Sequence, residues 1–354
     1  MIEKVFHIGP ALYVQGGISS VLMSYKNLFG LPEEKFMASY NGSFVKSLPI
    51  FFCLCLKLLF NPPKTFCFQI HTSFNGSFFR KYLISLCLRL RGRKYIAHIH
   101  GSRFKRMCEK SPRIVKSFIR SYFRHSAMVI CITPDMQEFL DDFVGKGLCR
   151  YAVVPNPCPT IASEPVDLSL HKEPVKIVFS GRYGQRKGVY DLIKAFELAN
   201  FKTPTELYLF GDGEVEKVKA LANDSPKAHE IHVSSWLKHD EYLKQLQNFD
   251  LLALPSYAET FGMSLVEAMG LGLPVVAARS GGVPYVVREG VDGFLIDAGD
   301  VNALAQKLEN LVDNESLRQN MGSAAWMGCK ERFSKETVLR QLENVYSELE
   351  KNHA

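Results

Sequence analysis

Two glutamates, Glu259 and Glu267, stand eight positions apart in AETFGMSLVEAMGLGLPVVA (Ala258 to Ala277), a stretch otherwise mostly apolar or small. Glutamate is almost never fully buried without a partner, so two of them here raise the prospect of a ligand. DLLALPS, just upstream, reads as a strand, YAETFG as a loop, and GMSLVEAMG as a helix ending near Gly270 and Gly272 before Pro274. Glu259 is then expected in the loop at the strand's carboxyl end. Glu267 falls about one and a half turns into the helix, at 3.6 residues per turn. A carboxylate accepting two hydroxyls is suited to a ribose or hexose diol. The amides of Phe261, Gly262 and Met263 at the helix start favour an anion between the two acids. The plainer alternative is one exposed acid and one capping acid.

Cations recur at a second expected strand end. FSGRYGQRKG carries Arg182, Arg186 and Lys187 among Gly184 and Gly188. Fixed cations beside flexible backbone suit a diphosphate, which a guanidinium grips through two hydrogen bonds; a solvated turn is the alternative. Near the N-terminus, in YVQGGISSVLMSYKNLF, Gly16 and Gly17 allow a close backbone approach and Ser19 or Ser20 can cap a helix whose amides favour phosphate. AHIHGSRF puts His100 at the end of an apolar run beside Gly101, either facing a ligand or satisfied in the core. No G-x-G-x-x-G fingerprint is present, which weighs against a dinucleotide oxidoreductase.

The elements needed to position these residues are legible as alternating strands and helices. VKIVFSG, ELYLFGDG, EIHVSSW, DLLALPS and PVVAARSGG read as strands separated by helices of ten or so residues, the pattern of parallel β-α-β units. EKVFHIG, TFCFQIH, KYIAHIH and AMVICIT point to a second such sheet in the N-terminal half. The fold class is α/β, with two Rossmann-like domains expected over 1–165 and 166–334. Val153 to Pro174, with five prolines, reads as the linker. A last helix within 335–354 is expected to pack elsewhere, back on the first domain. In open parallel sheets ligands bind outside the strands' carboxyl ends, where all these candidates cluster.

At 354 residues, with 47% apolar and 22% charged residues, the chain is globular and long enough for two cores. MIEKVFHIGP lacks the features of a signal peptide. Nine cysteines without a C-x-x-C pair point to reduced thiols and a cytoplasmic setting, and no metal-ligand spacing appears. Charge is lopsided: residues 1–170 carry 22 Lys/Arg against 10 Asp/Glu, a balance of +12, and residues 171–354 carry 21 against 26, a balance of −5. Arg80 to Arg124 holds 14 basic residues and one acid, Glu109, which fits an anionic lipid, a phosphate-bearing substrate, nucleic acid or a merely solvated face. LPIFFCLCLKLLF (Leu48 to Phe60) is too short to cross a bilayer; it is expected as a buried helix, with a membrane-surface contact as the alternative.

The combination of SGRYGQRKG, GDGE, SYAETFGMSLVEAMGLGLPVVAARSGGVPYVV and REGVDGFLIDAGD resembles the retaining glycosyltransferases of family four, which have the GT-B fold of two Rossmann-like domains facing a central cleft. E-x7-E continued by G-x-P-V-V and S-G-G-x-P is specific as a set. In the N-terminal half only QGGIS, IHTS, HIHG and VVPNP match, loosely. The resemblance implies that Arg182 and Lys187 hold the donor diphosphate and that Glu259 contacts the transferred sugar. Glu267 would bind the ribose hydroxyls, Gly17 beside Gly16 would let a loop close on the diphosphate, and His100 would touch the sugar. Thr260, Ser264 and Leu265 join Phe261, Gly262 and Met263 in the implied donor-binding segment. No D-x-D element is present, and such family members generally use no bound metal, so neither cofactor nor metal is expected.

The expected activity is therefore transfer of a hexose or N-acetylhexosamine from a nucleoside diphosphate sugar, with UDP the expected nucleotide. The acceptor is expected to be a glycan, lipid-linked given the basic N-terminal half, in assembly of O-antigen, capsule or exopolysaccharide at the inner face of the cell membrane. Nucleic acid is not an expected partner. The alternatives are a nucleotide-sugar epimerase of the same fold, an inactive glycan-binding relative, and a nucleic-acid-binding protein using the basic region.

Overall fold

A computed structural model describes residues 1–351 apart from Gln15, Ser102 and Lys172, and gives only the backbone of Asp240. Gln15 of QGGIS and Ser102 after HIHG thus lie outside the described residues. The chain divides into two compact units, residues 1–157 with 335–354, and residues 158–334.

The first unit runs β1 (Phe6–Gly9), α1 (Gly17–Phe29), β2 (Phe36–Ala38), α2 (Phe44–Phe60), β3 (Phe68–Thr72), α3 (Gly76–Leu90), β4 (Tyr95–Ile99), α4 (Phe104–Lys110), α5 (Arg113–Arg124), β5 (Met128–Cys131), α6 (Pro134–Val144) and β6 (Tyr151–Val153). Its six strands are all parallel, in the order β2-β1-β3-β4-β5-β6. Successive strand residues point to opposite faces, and the core divides accordingly. Tyr95, Ala97 and Ile99 pack with α2, α3, α5 and α6. Ile96, Met128 and Ile130 pack on the other side, with Val21 and Tyr25 of α1.

The second unit runs β7 (Val175–Ser180), α7 (Val189–Leu198), β8 (Thr205–Gly211), α8 (Val215–Asn223), β9 (Ile231–Ser235), α9 (His239–Leu246), β10 (Leu251–Leu254), α10 (Met263–Leu271), β11 (Val275–Ala278), α11 (Val283–Val286), β12 (Gly293–Ile296), α12 (Val301–Val312) and α13 (Glu315–Phe333). These strands are also all parallel, in the order β12-β11-β10-β7-β8-β9. The chain winds outward from β7 in one direction and then from β10 in the other. The loops after β7 and β10 therefore diverge at a topological switch point, where open α/β sheets bind ligands.

The division falls eight residues before the expected 165/166 boundary. The proline-rich stretch is not a free linker over its length, because its later part is tied to the second unit. Cys158 N–H donates to the Phe333 carbonyl at 2.8 Å, Ala162 N–H to Gly270 at 2.9 Å and Val166 N–H to Leu271 at 2.8 Å. The Trp326 indole N–H adds a bond to the Ala162 carbonyl at 2.9 Å. The last helix, α14 (Lys335–Lys351), belongs to the first unit. Val338, Leu342 and Leu349 are buried with residues of α1, and the Tyr346 hydroxyl meets Gln69 of β3.

Leu48 to Phe60 forms most of α2 but is not a wholly buried helix: Phe51, Leu54 and Leu58 are in the core while Leu48, Phe52, Leu56 and Phe60 are exposed. No helix among the described residues is long and apolar enough to cross a membrane. All nine cysteines are free thiols.

Candidate active site

At the switch point of the second unit, the loops leaving β7 and β10 are zipped together. A short 3-10 turn, Gln185–Lys187, follows Gly184 and ends at Gly188. The Tyr257 N–H donates to the Arg186 carbonyl at 2.9 Å, and Arg186 Nη1 donates to the Ala258 carbonyl at 3.2 Å. Two glycines allow this closeness. Gly188 is left-handed (φ 71°), and a Cβ there would collide with the Pro255 carbonyl; one on Gly281 (φ 51°), in the loop after β11, would collide with the carbonyl of Glu259.

The loops bring Lys187 Nζ onto Glu259 Oε2, with the two side chains only 15% and 12% exposed. Thr260 N–H donates to the other oxygen, Oε1, at 2.9 Å. Burial pushes the Glu259 carboxyl up. The Lys187 charge and hydrogen bond, the Thr260 amide and Arg186 outweigh that and hold it below its usual range. Lys187 and Glu259 are 72 residues apart in sequence, and β7 lies directly against β10. Removing either partner alone would strand a buried charge, at a cost of about 3–5 kcal/mol.

Helix α10 starts immediately after this pair. Its N-cap is Gly262, left-handed at φ 82°, with no side-chain cap. The Leu265 and Val266 amides turn back to the Gly262 carbonyl at 3.0 and 3.2 Å. The first amides, of Met263 and Ser264, have no intrahelical acceptor and present the positive end of the helix dipole. Phe261 and Leu265 contribute only backbone to this end. Both side chains are buried, Phe261 edge-on to Phe333 at 5.3 Å.

Glu267, farther along α10, is in a different state. It is buried, and burial raises its carboxyl to about 8. His239 Nε2, at the start of α9, stands 3.9 Å from Oε1. The buried Tyr242 is pushed up by its own burial and then by the Glu267 charge. In the free chain Glu267 is therefore mostly protonated at neutral pH, whereas Glu259 is ionised. His239 and Tyr242 were not singled out from sequence; the signal for them was a helix, HDEYLKQLQNF, opening after the strand EIHVSSW.

Arg182 is placed differently from Lys187. It is exposed, its stem lies beside Gly213 in the turn after β8, and the next residue, Tyr183, donates its N–H to the Asp212 carbonyl at 2.6 Å. It borders the switch point from the β8 side, and its side chain is not part of the Lys187–Glu259 pair.

In the first unit Gly16 (φ 153°) is the N-cap of α1, and a Cβ on Gly16 or Gly17 would meet nothing within 4 Å. Neither serine caps this helix, contrary to the sequence expectation: Ser19 is buried, and Ser20 Oγ donates back to the Gly16 carbonyl at 3.3 Å. His100 follows β4 and is only 6% exposed. Its Nε2 lies 3.0 Å from His71 Nδ1, and His71 Nε2 lies 3.2 Å from His7 Nδ1. Burial lowers His7 and His100 to about 3, and takes His71 and His98 well below the ordinary histidine value, so the rings are neutral. Nitrogens of His71, His98 and His100 lie within 4.8 Å of one another, close enough to share a cation. His71 spends both its nitrogens on neighbouring histidines, and no carboxylate belongs to the group.

Residues 161–326 match the family model of Glycosyl transferases group 1. Among curated proteins, the lipopolysaccharide core biosynthesis glycosyltransferase LpsE of Rhizobium meliloti is 29% identical over 223 residues, 62% of this chain and 63% of that protein. The N-acetyl-alpha-D-glucosaminyl L-malate synthase of Bacillus anthracis is 30% identical over 175 residues, 48% of this chain and 44% of that one. The chain thus spans less than two thirds of the length of either relative. Among solved structures, Anabaena HepE in complex with UDP superposes with a TM-score of 0.76 at 17% identity, over 98% of this chain and all of that one. That match extends over both parallel sheets and shows the fold. Over residues 161–326 the chain is thus similar to the glycosyl transferases group 1 family, and its two parallel sheets give it the GT-B fold.

Proposed function

We propose that this chain is a retaining glycosyltransferase that moves a hexose or N-acetylhexosamine from a nucleoside diphosphate sugar, UDP being the nucleotide, to a glycan acceptor in surface-polysaccharide assembly. The observation that carries the proposal is the Lys187–Glu259 pair, its side chains only 15% and 12% exposed, beside the open amides of α10 at the switch point. The name of LpsE supports a glycan acceptor, and the UDP bound in HepE supports the nucleotide.

In this reading the bond from the sugar's anomeric carbon to the diphosphate oxygen breaks, and one from that carbon to an acceptor oxygen forms on the same face. The acceptor hydroxyl's proton leaves with the departing diphosphate. Negative charge growing on the leaving group meets Lys187, Arg182 and the Met263 and Ser264 amides, which are fixed before the reaction begins. Glu259, held ionised, faces the positive charge developing on the sugar. Glu267 accepts the ribose hydroxyls. The diphosphate is held by these groups without a metal ion.

The test is release of nucleoside diphosphate from UDP-, GDP- and ADP-sugars, with and without a glycan acceptor, in EDTA. Acceptor-dependent release that survives EDTA is expected from one donor class. Failure of every donor would overturn the activity, and loss in EDTA restored by Mg²⁺ or Mn²⁺ would overturn the metal-free mechanism.

A further inference from the structure

Helix α2 is apolar on two opposite sides. One stripe, Phe51, Leu54 and Leu58, enters the core, while Val45, Leu48, Phe52, Leu56 and Phe60 lie exposed on the opposite side. A helix that is hydrophobic on its outer as well as its inner side belongs in an interior or against a partner. The neighbouring α3 repeats the arrangement, burying Phe78, Ile84 and Leu88 and exposing Phe79, Leu83 and Leu90. On α5, Ile114 and Phe118 are exposed. The three helices are adjacent: Cys55 of α2 meets Cys87 of α3, and Tyr82 of α3 stacks on Phe118 of α5 at 5.3 Å. With Phe52 at 58%, Phe60 at 77%, Leu90 at 79% and Ile114 at 65% exposure, large apolar side chains are gathered on the outer sides of adjacent helices rather than scattered over the surface.

Its charge indicates what covers it. From Phe44 to Arg124 the chain has 17 Lys/Arg and one acid, Glu109. Lys46 and Lys57 lie on α2, Arg91 follows α3, and Arg113 opens α5, all exposed. A second copy docking face to face would bring two such basic surfaces together and be repelled. An anionic bilayer supplies an apolar interior and a phosphate layer at once. We infer that the α2–α3–α5 face docks on an anionic lipid surface, its apolar side chains entering the boundary between headgroups and acyl chains and its basic ones meeting lipid phosphates. The helices lie on the membrane and do not cross it. The inference is independent of the proposed transfer reaction.

The experiment is co-sedimentation of the full chain with vesicles of phosphatidylcholine alone or mixed with phosphatidylglycerol, at low and high salt. Binding to the anionic vesicles is expected, weakened but not abolished by salt, because burial of the apolar side chains is not screened. Phe52→Glu and Phe60→Glu, exposed and remote in sequence from the Lys187–Glu259 site, should each lower partitioning about tenfold or more while leaving the melting temperature unchanged. Absence of binding to anionic vesicles at low salt would overturn the inference. So would binding that the two glutamate variants leave intact, which would assign attraction to charge alone. A concentration-dependent dimer abolished by the same variants, without vesicle binding, would give the face to a second copy instead.

Discussion

At the scale of single residues, the two glutamates that drew notice in the sequence are held in opposite protonation states, and their neighbours explain why. Glu259 has a lysine, and its pKa is depressed; Glu267 has burial, with His239 at 3.9 Å in place of a lysine, and its pKa is raised to about 8. A buried carboxyl with a raised pKa favours folding in its protonated form. Its contribution is fully present below the ordinary value of 4.5 and drains away as the pH climbs from there to about 8. Glu267→Gln should therefore change stability little at pH 5 and raise it at pH 8, on the order of a few kcal/mol, read as a difference in thermal midpoint that widens across that window. An equal effect at both pH values would contradict the assignment. In the proposed site the same carboxyl accepts two ribose hydroxyls, one on each oxygen, best as the carboxylate. Nucleotide binding at pH 7 should release a proton, measurable as a calorimetric heat that depends on the buffer's ionisation enthalpy; a buffer-independent heat would contradict ionisation of Glu267 on binding.

At the scale of elements, α14 is the test of how the first unit is held together. Five of its residues, Val338, Leu342, Val345, Tyr346 and Leu349, are buried. At roughly 1.5–3 kcal/mol for each large side chain, their loss approaches the whole stability of an ordinary domain. A chain ending at Ser334 should lose cooperative unfolding of the first unit, while the second unit, of which α14 is not a part, should keep its own transition. Survival of both transitions would show the helix to be an accessory. This helix also marks how far the sequence could be read. Strands β7, β8, β10 and β11 are compact apolar runs bounded by glycine or proline, so the second sheet and the loops bearing Arg182, Lys187 and Glu259 are legible in it. The exposed side of α2 is not, because a run apolar on two opposite sides has no single period to say which face is buried. The pairing of Lys187 with Glu259 depends on β7 lying against β10, a fact of strand order that no local pattern carries. The histidines of β1, β3 and β4 likewise look like independent residues until parallel pairing lines His71 up with His98. Ser19 and Ser20 misled as caps because Gly16 already takes that place.

At the scale of the whole molecule, charge and chemistry are divided between the halves of the chain. The basic excess lies within residues 1–170, and the match to the glycosyl transferases lies within residues 161–326. The central claim, that the second unit binds a nucleoside diphosphate sugar through Lys187 and Glu259, can be separated from both acceptor and membrane. Removing Lys187 alone would confound binding with the cost of a stranded carboxylate, so the informative variant is Lys187→Met with Glu259→Gln, which removes both charges together. The direct measurement is the thermal midpoint of the wild-type chain and of this double variant across UDP-, GDP- and ADP-sugars. A ligand at 100 times its Kd stabilises by about 2.7 kcal/mol, worth several degrees for a unit of this size. The account predicts such a rise for UDP-sugars in the wild type and none in a double variant that still folds. A rise of equal size in both, or no rise in the wild type with any nucleotide sugar, would contradict it.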